Sequence, residues 1–407
     1  MSGRDDAIVL GAGVVGVSTA YALARRGVAV TIVDRAAGPG RGASFANGGQ
    51  LSYAYADPLA SPGLLRRLPA LAIGADPAFR LRWRADPGLL RWLLAFLRNC
   101  TAERFRANTL AMLRLTLESK LALHALLERH PLAFAHRAAG KLHVFDGEDA
   151  FVQARALMPV KENAGARQQA LTPSEAIAIE PALELARGRM AGAIYSPDDE
   201  VGDPHLFCRA LTEVLVRDYG VRTRFGAAAE RIESTGVRPQ LRMVDGHVHS
   251  AETLVLCAGI GAATLLRPLG VRPPIVPMKG YSITAEPGRM APRVSITDVA
   301  RKLVFCRLGR QMRIAGLAEL GDGDPGVERK RRDTLVASAR ASLPEAVDWD
   351  GVIENWAGLR PMTPDSLPVI AVARPGLVVN IGHGALGWTA AMGSGERAAQ
   401  LALAAKE

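Results

Sequence analysis

The stretch Ala7-Ile8-Val9-Leu10-Gly11-Ala12-Gly13-Val14-Val15-Gly16 decides the fold. Its first four residues are the short continuous apolar run of a buried parallel strand, and the glycines after them stand in GxGxxG spacing. Ser18 to Arg26 has helical composition, with Ala20, Leu23 and Ala24 on one face and Gly27 closing it. Val28 to Val33 is a second apolar strand, and Asp34 stands at its end, 18 residues beyond Gly16. Strand, glycine turn, helix, strand and acid together form a βαβ unit carrying the dinucleotide fingerprint in its structural context. Gly11 permits the tight turn, Gly13 lets backbone approach a pyrophosphate, Gly16 lets helix pack on strand, and Asp34 is placed to accept from ribose hydroxyls. The helix start offers free N–H groups and a positive dipole end to phosphates.

The segment after the second strand separates two readings of that fingerprint. A nicotinamide-dependent dehydrogenase would continue in alternating strands and helices. Here the chain enters Arg41-Gly42-Ala43-Ser44-Phe45-Ala46-Asn47-Gly48-Gly49-Gln50, a glycine-rich loop suited to lying against a large ring system and its phosphate chain. The expected cofactor is FAD.

The chain has 407 residues, 49% apolar and 22% charged. This is globular composition with room for two or three domain-sized units, and it excludes the disordered, collagen-like and disulfide-scaffold classes. Cys100, Cys208, Cys257 and Cys306 stand singly, without CxxC or a histidine at zinc spacing, so no metal site and no disulfide framework is expected and a reduced cytosolic compartment fits. The net charge of +10 rests on 43 arginines among 50 basic residues, which reads first as the codon bias of a GC-rich genome. A basic chain can also mark nucleic acid or an anionic membrane. No zinc-finger, cold-shock or RNP motif and no long basic block is present, so nucleic acid is not an expected partner. Ala7 to Ala24 is uncharged but comes after Asp5 and Asp6 and carries three glycines, which excludes a signal peptide. Pro375 to Gly395, with six glycines, Asn380 and His383, reads as strand, turn and helix and not as a lipid-facing span.

Beyond the loop the composition changes. From Pro58 to about Leu127 it is rich in arginine, leucine and tryptophan, with nine arginines against three acids between Leu64 and Arg106. Strands are expected at Lys141 to Phe145, Gly192 to Tyr195, Val221 to Phe225, Thr253 to Cys257 and Leu377 to Ile381. A helix opens at Asp203-Pro204 and runs to Tyr219, with Asp as N-cap and Pro at the first position. Ile275 to Leu317 alternates like sheet, and the last helix covers roughly Trp388 to Ala405. The nucleotide fold is therefore interrupted by a second domain: residues 1–57, 197–273 and 346–407 are expected in the nucleotide-binding unit, and 58–196 and 274–345 in the second.

Gly11 to Gly16, Ala46 to Gln50, Pro277-Met278-Lys279-Gly280-Tyr281-Ser282, Gly358-Leu359-Arg360-Pro361-Met362-Thr363-Pro364-Asp365 and Gly382-His383-Gly384-Ala385-Leu386-Gly387-Trp388-Thr389 closely resemble the FAD-dependent D-amino-acid oxidase superfamily, nearest its bacterial D-amino-acid dehydrogenase branch. The resemblance spans nearly the whole chain in the right order. It implies an α/β protein with a glutathione-reductase-like, Rossmann-type FAD domain and a substrate domain built on a large mixed sheet. It implies oxidation of a D-amino acid to the imino acid, hydrolysis to a 2-oxo acid and ammonia, and electrons passed to a quinone or other acceptor. A glycine or sarcosine oxidase or a secondary-amine dehydrogenase of the same superfamily is the alternative.

The same resemblance distributes the site residues. FAD would be held by Gly11, Ala12, Gly13, Val14, Val15 and Gly16, by Asp34 and Arg35, and by Ser44, Asn47, Gly48, Gly49 and Gln50. Ala229, Ala258 and Gly259 would complete the nucleotide end, and Gly382, Gly384, Leu386, Gly387, Trp388 and Thr389 the flavin end. Arg360 falls at the carboxylate-binding position, where its planar fork suits a bidentate carboxylate. Lys279 and Tyr281 are expected to line the same pocket. Tyr53 and Tyr55 are candidates for its lid or wall, or equally for core packing, and His383 is positional or a proton carrier. The turn feeding the last helix would stabilise negative charge on reduced flavin. The arginine-, leucine- and tryptophan-rich insert is expected either to pack its leucines inward or to touch an anionic membrane. Localisation is accordingly expected to be cytoplasmic, with peripheral contact on the inner face of the membrane as its extension.

Overall fold

The computed structural model describes residues 5–65, 74, 76–83, 86–233 and 238–404. Two large sheets organise it. The first has five parallel strands in the order Leu377–Ile381, Val248–Leu256, Asp5–Leu10, Val30–Asp34, Arg222–Phe225. Ala7, Ile8 and Val9 are all buried although they point alternately to opposite faces, as a strand covered on both sides requires. Helices Val14–Ala24 and Gly387–Ala404 pack together beside this sheet. Glycines of the last helix make close approach possible on two sides: a methyl group on Gly395 would stand 2.8 Å from the Ser18 carbonyl carbon of helix Val14–Ala24, and one on Gly393 would stand 2.7 Å from the Leu115 carbonyl oxygen of helix Ala102–Arg129. The Gly- and Ala-rich end of the chain is therefore a tightly packed core helix. Among the described residues no helix is long and apolar enough to cross a membrane.

The second sheet has nine strands. Val347–Met362 is at one edge, followed by Val276–Pro287, Gln311–Leu320, Leu303–Leu308, Ser295–Asp298, Lys141–Phe145, Gly192–Ser196 and Gln169–Leu171. Phe79–Leu81 pairs alongside Gln311–Leu320. Helix Arg329–Ser342 covers one face, where Leu335 and Ala339 pack with Tyr281, Ile283 and Ile314.

Strand pairing draws the division of the chain differently in two places. Residues 347–362, grouped by sequence with the FAD-binding segments, are the edge strand of the larger sheet. Helix Ala102–Arg129, grouped with the substrate segments, places Leu123 and Leu126 in the same core as Val17 and Val255 of the first sheet. Both assignments depend on partners far away along the chain, which no local pattern announces.

The insert is half core and half surface. Helix Pro87–Asn99 is capped by Asp86, whose carboxylate accepts from Gly88 N–H. It buries Leu89, Trp92 and Phe96 against Val276, Met278, Leu320 and Met362, and Trp92 Nε1 donates to the Met362 carbonyl at 2.9 Å. Leu90, Leu94 and Leu97 remain exposed on its outer face. Arg66, Arg67 and Arg84 lie outside the described residues.

Candidate active site

The glycine turn is built as its spacing dictates. Gly11 has φ +114°, and a side chain there would press into the backbone of Cys257 and Ala258. A methyl group on Gly16 would overlap the Gly11 carbonyl oxygen, which is the close helix-on-strand packing expected of the third glycine. Asp34 receives Ala12 N–H at 2.6 Å on one oxygen and Ala36 N–H at 2.8 Å on the other, and each oxygen keeps a lone pair for a ribose hydroxyl. Ser44 Oγ accepts Val14 N–H at 3.1 Å. Ala36 and Asp34 carbonyls receive Gly226 and Ala227 N–H, so exposed Arg35 and, two residues further, Ala229 gather at this end. Ala258 and Gly259 come directly after the strand that Gly11 touches.

The segment from Ala46 to Tyr55 passes over the larger sheet from strand to strand. Ala46 carbonyl accepts from Ser282 Oγ at 2.6 Å, and Asn47 carbonyl accepts from Arg313 Nη1 at 3.1 Å. Gly48 lies against Val304 and Ala315. Gln50 Nε2 donates to Ser295 Oγ at 2.6 Å, Lys141 Nζ donates to Ser52 Oγ at 2.6 Å, and Tyr55 stacks on His143 with centroids 4.1 Å apart. Register explains the march. Ser282 is opposite Ala315, Ala315 opposite Val304, Val304 opposite Thr297 and Thr297 opposite His143, so these side chains share one face.

Arg360 belongs to that face. Met278 pairs with Arg360, Gly280 with Gly358 and Ser282 with Trp356. The guanidinium folds over Gly280, where a methyl group would overlap its Nη1, Nη2 and Cζ. It donates from Nη1 to the Leu317 carbonyl at 3.3 Å. Leu317 has φ +60°, beside the bulge that shifts register between Lys279 and Tyr281, the kind of irregularity that re-aims groups beside a site. Among the described residues no carboxylate pairs with Arg360, and burial draws its guanidinium down to about 10. A half-buried fork of fixed orientation without a counter-ion has the chemistry to take a carboxylate.

Lys279 and Tyr281 do not join it. They flank Gly280, and a strand turns successive side chains to opposite faces. Register pairs them with Leu359 and Ala357, on the side covered by helix Arg329–Ser342. There Lys279 Nζ stands 3.5 Å from Asp322 and 5.4 Å from the Tyr281 ring centroid. Glu319, fully buried, pairs with Arg331 on the same side. The expectation that both line the Arg360 pocket is corrected: they belong to the core beneath the helix.

Tyr53 is also core. Its hydroxyl donates to Glu200 Oε2 at 2.9 Å, a carboxylate already shared by His124 and His136. Burial followed by that carboxylate's charge pushes the phenol well above its ordinary value. No contact links it with Arg360. His383 is 4% exposed with no partner on Nε2, and burial draws its imidazole down to about 3, so it is neutral near pH 7. It bridges to Met362, which brings the Gly382-His383-Gly384 turn to the end of the Arg360 strand. Gly384, Leu386 and Gly387 lead into the last helix; Trp388 Nε1 donates to Gly202 carbonyl at 3.1 Å, and Thr389 Oγ1 accepts Ser52 N–H at 3.0 Å.

The arrangement fits FAD. Helices Val14–Ala24 and Gly387–Ala404 carry no acidic residue in the first turn, and the N-cap of the former is Gly13, which has no side chain to occupy the remaining N–H groups, an arrangement that suits anions at both helix starts. Arg313 escaped the sequence reading. This buried arginine ties the larger sheet to the loop through Asn47 and, at 3.4 Å, to buried Asp203 at the start of helix Pro204–Tyr219. Its signal was a charged residue in the apolar alternation 313–317. The described residues contain no cluster of three or more ligands that could hold a metal, and all four cysteines are free and buried.

Residues 6–401 match the DAO model, described as FAD dependent oxidoreductase. The chain is 43% identical over 397 residues to "D-amino acid dehydrogenase 2" of Ralstonia nicotianae, covering 95% of this chain and 93% of that protein. It is 42% identical to "D-amino acid dehydrogenase" of Paramagnetospirillum magneticum, covering 97% and 94%. In fold it is similar to glycine oxidase from Geobacillus kaustophilus, with TM-score 0.76 at 22% identity over 98% of this chain and 95% of that one. L-proline dehydrogenase from P. horikoshii is similar at TM-score 0.77 and 17% identity, over 98% and 94%. With the matching residues spread over both sheets and the glycine turn, loop and Arg360 strand in their places, the chain belongs to the DAO family of FAD-dependent oxidoreductases.

Proposed function

We infer that this enzyme is a D-amino-acid dehydrogenase that oxidises its substrate to an imino acid, which water hydrolyses to a 2-oxo acid and ammonia. The observation that carries the reading is Arg360, a half-buried guanidinium without a carboxylate, aimed across Gly280 beside the turn that starts the last helix. Arg360 binds the substrate carboxylate through its planar fork and so fixes where the α-carbon stands. Bound FAD supplies a two-electron acceptor for the hydride leaving that carbon. The glycine turn and Asp34 hold the nucleotide half of the cofactor, and residues 46–50 with 382–389 hold the ring. His383, neutral and buried, shapes this wall. A substrate whose amine is already neutral needs no protein base, so the residues act by position and electrostatics.

For the acceptor, a quinone dissolved in lipid fits the outer face of helix Pro87–Asn99. Leu90, Leu94 and Leu97 recur at helical spacing beside exposed Arg91 and Arg98, and Trp83 is 65% exposed. This is the composition of a surface that lies on anionic lipid. Arg82 is less free to join it, since it pairs with Glu328 at 2.8 Å.

The flavin spectrum of the purified holoenzyme should bleach anaerobically on adding D-alanine and not L-alanine. Bleaching by glycine or sarcosine alone would replace the reading with that of the amine-oxidase branch, and no bleaching by any of them would overturn it. Co-sedimentation with anionic but not neutral vesicles, lost at high salt and in the Arg91→Gln/Arg98→Gln variant, is the result expected for the lipid-facing helix.

A further inference from the structure

We propose that Trp356 is the wall that receives the substrate's side chain and makes the enzyme prefer apolar D-amino acids. The proposal rests on the carboxylate-binding reading of Arg360.

Gly280 and Gly358 stand directly opposite one another in adjacent antiparallel strands. Neither position has room for a side chain. A methyl group on Gly280 would overlap the Arg360 guanidinium, and one on Gly358 would overlap Cζ2 and Cη2 of the Trp356 indole. Residues 356, 358 and 360 share a face. Trp356 leans forward along its own strand over Gly358. Arg360 leans diagonally across to Gly280, the partner of Gly358. Two planar groups therefore converge from opposite ends onto one bare patch of sheet, whose paired Cα atoms are only about 5 Å apart.

The patch is enclosed on further sides. Beyond Arg360, helix Pro87–Asn99 covers Met278 and Met362. Across the sheet, Ser282, the register partner of Trp356, holds the Ala46 carbonyl of the loop. Arg360 thus has a wide apolar ring as its neighbour on the same face of the sheet, and the ring is half-buried and not sealed in the core. A carboxylate seated on the fork directs the remainder of a small amino acid along that face toward the indole. Stacked or edge contact with that ring favours methyl, isobutyl or benzyl groups. It offers no counter-charge to an acidic or basic side chain.

The test uses holoenzyme with an artificial dye acceptor, and oxidised holoenzyme titrated with acetate and benzoate while the flavin absorption band is followed. Trp356→Ala should lower kcat/KM for D-leucine and D-phenylalanine about tenfold or more relative to D-alanine, the usual scale for lost apolar pocket contact. It should weaken benzoate similarly and leave acetate within about twofold. Trp356→Phe should restore most of the preference. Arg360→Ala should abolish binding of both carboxylates. If Trp356→Ala holds no flavin, Trp356→Leu takes its place. Unchanged side-chain ranking and benzoate affinity in flavin-loaded Trp356 variants would overturn the proposal. Acetate binding that survives Arg360→Ala would instead overturn the carboxylate reading beneath it.

Discussion

The two faces of the nine-stranded sheet carry similar residue types and part over one arginine, since the crossed face matches Arg313 with Asp203 but leaves Arg360 without an anion. On the face under helix Arg329–Ser342 the buried charges are matched: Glu319 with Arg331, and Lys279 with Asp322. On the face crossed by residues 46–55, Arg360 is left with one backbone carbonyl and two glycines cleared around it. A buried ion set whose members satisfy one another is a structural fixture, weakly stabilising at best and costly to break. A desolvated cation held in shape without an anion has forgone stability for something that arrives from outside.

That contrast can be broken or sharpened by substitution. Glu319→Ala should cost about 3–5 kcal/mol of stability, because it strands Arg331 in the core, while turnover per bound flavin stays near normal. Denaturant unfolding alongside steady-state assay reads both. Arg360→Ala should do the reverse: about 2–5 kcal/mol lost from kcat/KM, with flavin content retained and unfolding free energy equal to or above that of the parent. Arg360→Lys should recover little, since a point charge does not reproduce the fork. Loss of stability with intact activity in the Arg360 variants would place Arg360 among the fixtures.

His383 gives an intermediate effect with a definite sign. Its folded value of about 3 lies below the ordinary value of about 6.5, so on acidification the unfolded chain takes a proton that the folded chain refuses. Stability should fall from about pH 6.5 downward, by up to about 1.4 kcal/mol per pH unit from this group until the folded value is reached. His383→Asn should flatten the slope in melts between pH 7 and pH 4, and an unchanged slope would refute the assignment. Smallest is Tyr281→Phe. Its buried hydroxyl has no partner, so stability should move by less than about 0.5 kcal/mol or rise, and kcat/KM should stay within about twofold. A large catalytic loss would return Tyr281 to the pocket.

The glycine turn, Asp34, the loop and Arg360 were legible in the sequence because each is a local device: a turn that only glycine can make, a strand end, a rigid arginine before proline. The faces of Lys279 and Tyr281 are not legible in the motif, because residues adjacent along a strand are sent apart by the pleat. The edge strand 347–362 and the helix 102–129 were attached to the wrong partners for a related reason, since pairing over long separations leaves no periodic trace. Arg313 was visible as a charge in an apolar run. Its partner Asp203 was visible as a helix cap, and nothing in either segment said that the two meet.

The tethers on residues 46–55 also set a timetable for synthesis. Ser52 waits for Thr389, 337 residues later, and Asn47 waits for Arg313, 266 residues later. At roughly 5–20 residues per second, the ribosome needs roughly 20–70 s between making the loop and making the helix that seats it. The nascent chain must carry a glycine-rich strap without its last anchor for all of that time. Full seating of the cofactor therefore comes only after residue 389 has been made and folded, and a truncation that removes only the last helix leaves the strap without one of its anchors.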